Sequence, residues 1–183
     1  MGPGETASDG DVVRAVLAGD AERYAVLVRR YRDRYARYAA RMLGSPDAAE
    51  DAVQDAFVRA FSQLGQCREP DNFAGWFFLI LRNRCFAERR RSARAGRRLE
   101  ETHEAIAAPD RTDGAVERRE TERALERAVA TLTPEQREVF VLKHVEGLPY
   151  EEIAQRTGAT VASLKMRMHR AYDRLREQLK ERL

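Results

Sequence analysis

Apolar residues recur at three- and four-residue intervals along most of this chain, the period of helices that bury one face. The pattern predicts a short helix over Asp11–Leu17, with Asp9 as its cap and Gly19 ending it, after an irregular stretch at residues 1–8. A long helix follows from Ala21 to Leu43, with Tyr24, Leu27, Val28, Tyr31, Tyr35, Tyr38 and Met42 near one stripe and arginines from Arg29 to Arg41 over the rest. Gly44-Ser45-Pro46 stops that helix and starts another, because Ser45 is a good N-cap and Pro46 suits a first turn. This third helix reaches about Leu64, and a loop, Gly65–Asp71, leads into an aromatic and then arginine-rich helix over 73–91. From Ser92 to Val116 the period fails, with Gly96, Pro109 and Gly114 interrupting it, so a linker is expected. Its roughly 25 residues would span about 80 Å when extended. Helices are then predicted at Glu117–Ala130, at Pro134–Val145 behind a Thr133/Gln136 capping box, at Tyr150–Arg156, and from Thr160 to the end.

The last two of these helices, separated by a Gly158-containing turn, have the punctuation of a helix-turn-helix, whose second helix enters a DNA major groove. Val161, Leu164, Met168, Ala171, Tyr172, Leu175 and Leu179 form the stripe that must pack. Ala162, Ser163, Met166, His169 and Arg170 point the other way, flanked by Lys165 and Arg167. Cations there reach guanine or phosphate, and Met166 can touch a thymine methyl. The competing reading is the solvated face of an ordinary helical hairpin.

The third helix has two faces. Ala49, Val53, Ala56, Phe57, Ala60 and Phe61 make an apolar stripe, whereas Asp47, Asp51 and Asp55 make an acidic ridge with Gln54 beside it. Like charges at this spacing cost a few tenths of a kcal/mol each in an isolated helix. Asp47 gains from the helix dipole, but Asp55 lies too far along to do so. A basic partner surface accounts for the ridge, and so does simple solvation. In the 73–91 segment Phe73, Trp76, Phe77, Ile80 and Leu81 read first as core. Any that are exposed, leading into Arg82, Arg84, Arg89, Arg90 and Arg91, suit single-stranded nucleic acid, by stacking and backbone attraction.

Composition sharpens this picture. The 183 residues are 43% hydrophobic and 34% charged, with few β-branched runs, so the fold class is all-α. The net charge is only +3, yet Arg82 to Arg98 holds eight arginines against the single Glu88, and Glu100 to Glu126 is mainly acidic. That juxtaposition fits a polyanion site beside a solvated connector. Two cysteines, Cys67 and Cys85, and three scattered histidines give neither a disulfide framework nor a metal-ligand spacing, so no cofactor or metal is expected. The N-terminus has no apolar signal region and the longest apolar run, Trp76–Leu81, is too short to span a bilayer, so a cytoplasmic protein without a membrane segment is expected. No nucleophile–base pair or phosphate loop supports an enzyme.

Five segments in order, AERYAVLVRRY, DAAEDAVQDAFVRAF, FAGWFFLILRNRCFAERRR, LTPEQREVFVLKHVEGLPYEEIA and TVASLKMRMHRAYDRL, resemble the sigma-70 family of bacterial RNA polymerase sigma factors in its extracytoplasmic-function (ECF, group 4) class. The resemblance implies two small helical domains, sigma domain 2 over residues 9–92 and sigma domain 4 over 117–183, joined by a flexible linker at 93–116. It implies that Glu50, Asp51, Gln54 and Asp55 dock on the clamp helices of the polymerase's largest subunit, and that domain 4 meets the flap of the second-largest. It implies that Cys67, Trp76, Arg82, Asn83, Arg84, Arg89, Arg90 and Arg91 serve the promoter −10 element, with Asn83 at a position that contacts a flipped base. The −35 element would fall to Ser163, Lys165, Met166, Arg167, His169 and Arg170. An anti-sigma factor is the regulator such proteins usually have.

Three positions depart from the family pattern. Cys67 stands where relatives often carry an aromatic, which removes a stacking surface, and Met166 stands where a small polar residue is common. The 73–91 helix ends in ERRR without the usual internal aspartates. A free thiol at Cys67 is the plain reading, and a redox switch would need a lowered pKa. The main alternative function is a stand-alone helix-turn-helix regulator with an N-terminal effector domain, which leaves the arginine-rich helix unexplained. RNA binding by that helix is a further reading, which salt-dependent binding to single strands without polymerase would favour.

Overall fold

The computed structural model describes residues 7–100 and 127–180, and among these every regular element is a helix. They are α1 (Asp9–Leu17), α2 (Tyr24–Leu43), α3 (Pro46–Ser62), α4 (Phe73–Glu100), α5 (Pro134–Phe140), α6 (Tyr150–Thr157) and α7 (Val161–Lys180), with short 3-10 turns in the connections. The chain divides into two compact units, and the division falls inside α4 between Glu88 and Arg89. The expected helix over Glu117–Ala130 and most of the expected linker lie outside the described residues, although residues 127–130 are helical.

Local chemistry sets most helix ends. Ser45 accepts from the Ala48 amide and Pro46 occupies the first turn of α3. Thr133 and Gln136 exchange both bonds of a capping box at α5. Thr160 Oγ1 accepts from the Ser163 amide at 3.2 Å, fixing the start of α7. At α1 the cap is Ser8, not Asp9: Ser8 Oγ accepts from the Asp11 amide, and Asp9 enters the first turn, bonding Arg30 and Tyr31 of α2. Helix α4 runs through Gly96 to Glu100, nine residues beyond where apolar periodicity ends. A glycine inside a helix costs only about 1 kcal/mol against alanine.

The first unit is organised around an aromatic core. Phe57 of α3 stacks on Phe77 of α4 at 4.2 Å, Tyr35 of α2 lies 4.9 Å from Phe77, and Phe73 packs against Tyr24 and Tyr31. Phe73, Phe77, Leu81, Leu27 and Met42 are fully buried, each contributing about 1.5–3 kcal/mol through removal from water. Buried tyrosine hydroxyls find backbone partners: Tyr24 donates to Phe57 O at 2.9 Å and Tyr35 to Ala74 O at 2.7 Å.

In the second unit α7 supplies the predicted stripe, with Leu164, Met168, Ala171 and Leu175 buried. Ala171 and Leu175 pack with Ala128 and Leu132, and Val129 and Phe140 cover that cluster. Tyr172 and Leu179, expected on the stripe, are partly exposed. Tyr172 instead bonds His144 Nε2 at 2.7 Å. The predicted helix Pro134–Val145 is α-helical only to Phe140; Val141–Val145 forms a π-turn, closed by the Glu146 amide on Val141 O at 3.0 Å.

Candidate nucleic-acid and partner interfaces

Helices α6 and α7 form the helix-turn-helix. Gly158 takes φ +71 as the C-cap of α6 and its amide bonds Ala154 O, and that left-handed conformation suits glycine. Buried Ile153 and Leu164 supply apolar contact surface from the two helices. With the stripe buried, α7 exposes Lys165, Met166, His169 and Arg170, while Ser163 and Arg167 are half-buried. Met166 is 53% exposed, with Lys165, Arg167 and Arg170 near it in sequence. His169 lies 3.5 Å from Asp173, an ion pair whenever the imidazole is protonated. All six −35 candidates therefore lie on or beside one face of one capped helix.

The −10 candidates divide. Asn83, Arg90 and Arg91 are exposed and Trp76 is half-buried beside Phe73. Arg82 places its guanidinium 4.5 Å from the Phe86 ring centre, a cation–π contact. Arg84 donates to Asp55 and Glu88. Arg89, on the second unit's side of the division, donates to the carbonyls of Ala130 and Leu132, and burial lowers its pKa. Arg137 is buried in the same unit, and burial, then Arg89, push its pKa down to about 10. Cys67 is turned inwards at 5% exposure, so its side chain is not presented at the surface. Its Sγ donates to Glu69 O, and burial pushes the thiol pKa up, against thiolate reactivity.

Glu50, Asp51, Gln54 and Asp55 are all exposed on α3. Two carry intramolecular cations: Arg32 of α2 pairs with Glu50, and Arg84 of α4 pairs with Asp55. Beside this ridge the structure adds what periodicity did not reveal, a groove of about 1140 Å³ between α2 and α3. Tyr24, Val28, Val53, Phe57 and Phe61 give it apolar walls, and Arg29, Arg32, Glu50 and Gln54 reach its rim. The apolar stripe of α3 is thus only partly consumed by the core, since Phe61 at its end stays exposed, and so does Val58 beside it. The only sequence signal was that the stripe continues to Phe61 on a helix that also carries the ridge.

Comparison with known proteins gives the family of the chain. The Sigma-70 region 2 family matches residues 27–95 and the Sigma-70 region 4 family matches residues 122–175. CarQ, an RNA polymerase sigma factor of Myxococcus xanthus, is 32% identical over 89% of this chain and 92% of its own length. The chain belongs to the sigma-70 family. Its relatives place it in the ECF class: SigE of Mycolicibacterium smegmatis is 35% identical over 84% of the chain, which spans 60% of SigE, and SigW of Bacillus subtilis is 28% identical over 92%. Among solved structures, CnrH in complex with the cytosolic domain of CnrY is 26% identical with a TM-score of 0.61, covering 96% of this chain and 99% of that one. The sigma factor RpoE of Bartonella quintana, solved with the anti-sigma factor NepR, is 26% identical with a TM-score of 0.58, covering 85% and 96%. This sigma factor contains no described helix long and apolar enough to cross a membrane.

Proposed function

We propose that this sigma factor directs promoter recognition with its two units in distinct roles. Domain 2, over residues 9–92, docks on core polymerase through Glu50, Asp51, Gln54 and Asp55 and engages the −10 element through Trp76, Asn83 and the exposed arginines of α4. Domain 4, over 117–183, reads the −35 element through Ser163, Lys165, Met166, Arg167, His169 and Arg170, and residues 93–116 link the two. The protein performs no catalysis itself and acts in the cytoplasm, where core polymerase is. The observation that carries the reading is α7: one side buried by Leu164, Met168, Ala171 and Leu175, the other cationic and exposed, directly after a glycine-capped turn.

An anti-sigma partner fits the same surfaces. RpoE was captured with an anti-sigma factor and CnrH with a cytosolic domain of another protein. The apolar groove between α2 and α3 gives such a partner an anchoring surface. Run-off transcription with core polymerase on promoters from a GC-rich bacterial genome, with and without this protein, tests the reading. Discrete protein-dependent starts sharing −35 and −10 elements are expected. Absence of starts together with no binding to core would overturn it, and tight binding to duplex DNA alone would then favour a stand-alone regulator.

A further inference from the structure

Arg84 lies on α4, the helix that the proposed function turns towards promoter DNA, and Asp55 on the ridge it gives to polymerase, yet they are bonded to each other. Arg84 Nε donates to Asp55 Oδ2 at 2.9 Å and Nη2 lies 2.9 Å from the same oxygen. Nη1 donates to Glu88 Oε2 at 3.3 Å, one helical turn further along α4. The fork that would grip a phosphate is thus aimed at two carboxylates of the protein. An approaching phosphate therefore meets a guanidinium whose Nε, Nη1 and Nη2 already face carboxylates of the protein, where the sequence alone shows a cation.

The two carboxylates differ in access. The Glu88 side chain is 11% exposed and tethered to Arg84 on the same helix, out of a partner's reach. The Asp55 side chain is 60% exposed, on the ridge itself. We propose that Asp55 and Glu88 clamp Arg84 away from nucleic acid, and that a lysine or arginine of the docked polymerase, by taking Asp55, releases the guanidinium to the opened promoter strand. On docking, the Asp55 carboxylate is taken up by the partner's cation and the Nε and Nη2 donors become available, while Glu88 keeps Arg84 near its place. Linkage makes the effect reciprocal: a phosphate on Arg84 frees Asp55 and strengthens docking by the same factor. This inference rests on the reading of α3 as the docking ridge and α4 as the −10 face.

The clamp is tested without polymerase, on the full chain, by fluorescence anisotropy with a labelled 12-nucleotide single strand of random sequence at about 0.1 M salt. Asp55→Asn removes an exposed carboxylate, and circular dichroism confirms that the variant folds. It is expected to bind the strand about two- to five-fold tighter than the parent, the range a single exposed ion pair spans. The gain should vanish in an Arg84→Gln background, or in Arg84→Lys, which keeps the charge but not the fork. No gain, or an equal gain with and without Arg84, overturns the clamp. Core-polymerase affinity of Asp55→Asn is read separately. A several-fold loss supports the release step, and an unchanged affinity overturns that step and the docking role of Asp55, whatever the single-strand result.

Discussion

Asp51 stands exposed on α3, and it makes no ion pair or side-chain hydrogen bond among the described residues. If it meets the polymerase, reversing its charge opposes the partner directly. Asp51→Arg should weaken core binding at least about tenfold, because like-charge juxtaposition at an interface is costly. Thermal stability should move by less than about 0.5 kcal/mol, as for other surface changes. A binding titration beside a melting curve checks both. Met166 is the corresponding residue on the proposed DNA face, exposed and uncharged. Met166→Arg should shift base preference at one −35 position by about five- to a hundred-fold, the usual value of one base contact. Aligned transcription starts from a randomised −35 pool give the answer, and an unchanged profile would place Met166 off the DNA. For Cys67, burial raises the thiol pKa and thereby lowers its thiolate fraction at neutral pH. Native protein should therefore react with iodoacetamide at pH 7.5 much more slowly than denatured protein, and a fast native reaction would return Cys67 to the loop surface.

At the scale of elements, what holds each helix in place was legible in proportion to how local it is. Ser45-Pro46, Thr133/Gln136 and Thr160 specify helix starts within four residues, and all three cap as their chemistry dictates. Ser8 and Asp9 compete for one cap, and the winner depends on α2, because Arg30 and Tyr31 draw Asp9 away. The extension of α4 past Arg91 and the π-turn after Phe140 leave no periodic trace. The groove between α2 and α3 and the Arg84–Asp55 pair depend on contacts across helices, so no spacing along one helix could reveal them. The acidic ridge illustrates the boundary. Its unfavourable spacing is plain in the sequence, whereas Arg32 and Arg84, which offset Glu50 and Asp55, come from α2 and α4. Local devices also give the clearest stability test. A Cβ on Gly158 meets nothing within 4 Å, so Gly158→Ala isolates the cost of φ +71, about 1 kcal/mol. The helix-turn-helix unit should lose roughly 4–8 °C in melting temperature. No change would mean that the turn relaxes freely, and −35 recognition would then not depend on its geometry.

On the proposed assignment the whole molecule spreads its recognition over two faces, each expected to be weak alone. The proposed −35 face offers Lys165, Arg167 and Arg170 as its cations, and three phosphate contacts would give a slope of log affinity against log salt near −3. Duplex binding by the isolated chain should therefore be weak at physiological salt, and Arg170→Ala should reduce the slope by about one. Polymerase changes the arithmetic without adding a base contact. Once both units are held on one particle, the second face binds at a high effective concentration, and the gain over either face reaches about 10²–10⁴ when the spacing matches. Promoters with the −35 to −10 distance altered by a few base pairs should then lose most of that gain in the holoenzyme, yet bind the free chain as before. Salt titrations of free chain and holoenzyme on the same spacing series read both numbers. A free chain that bound duplex DNA tightly, with a slope steeper than about −6, would carry its own specificity and have no need of polymerase to set the spacing.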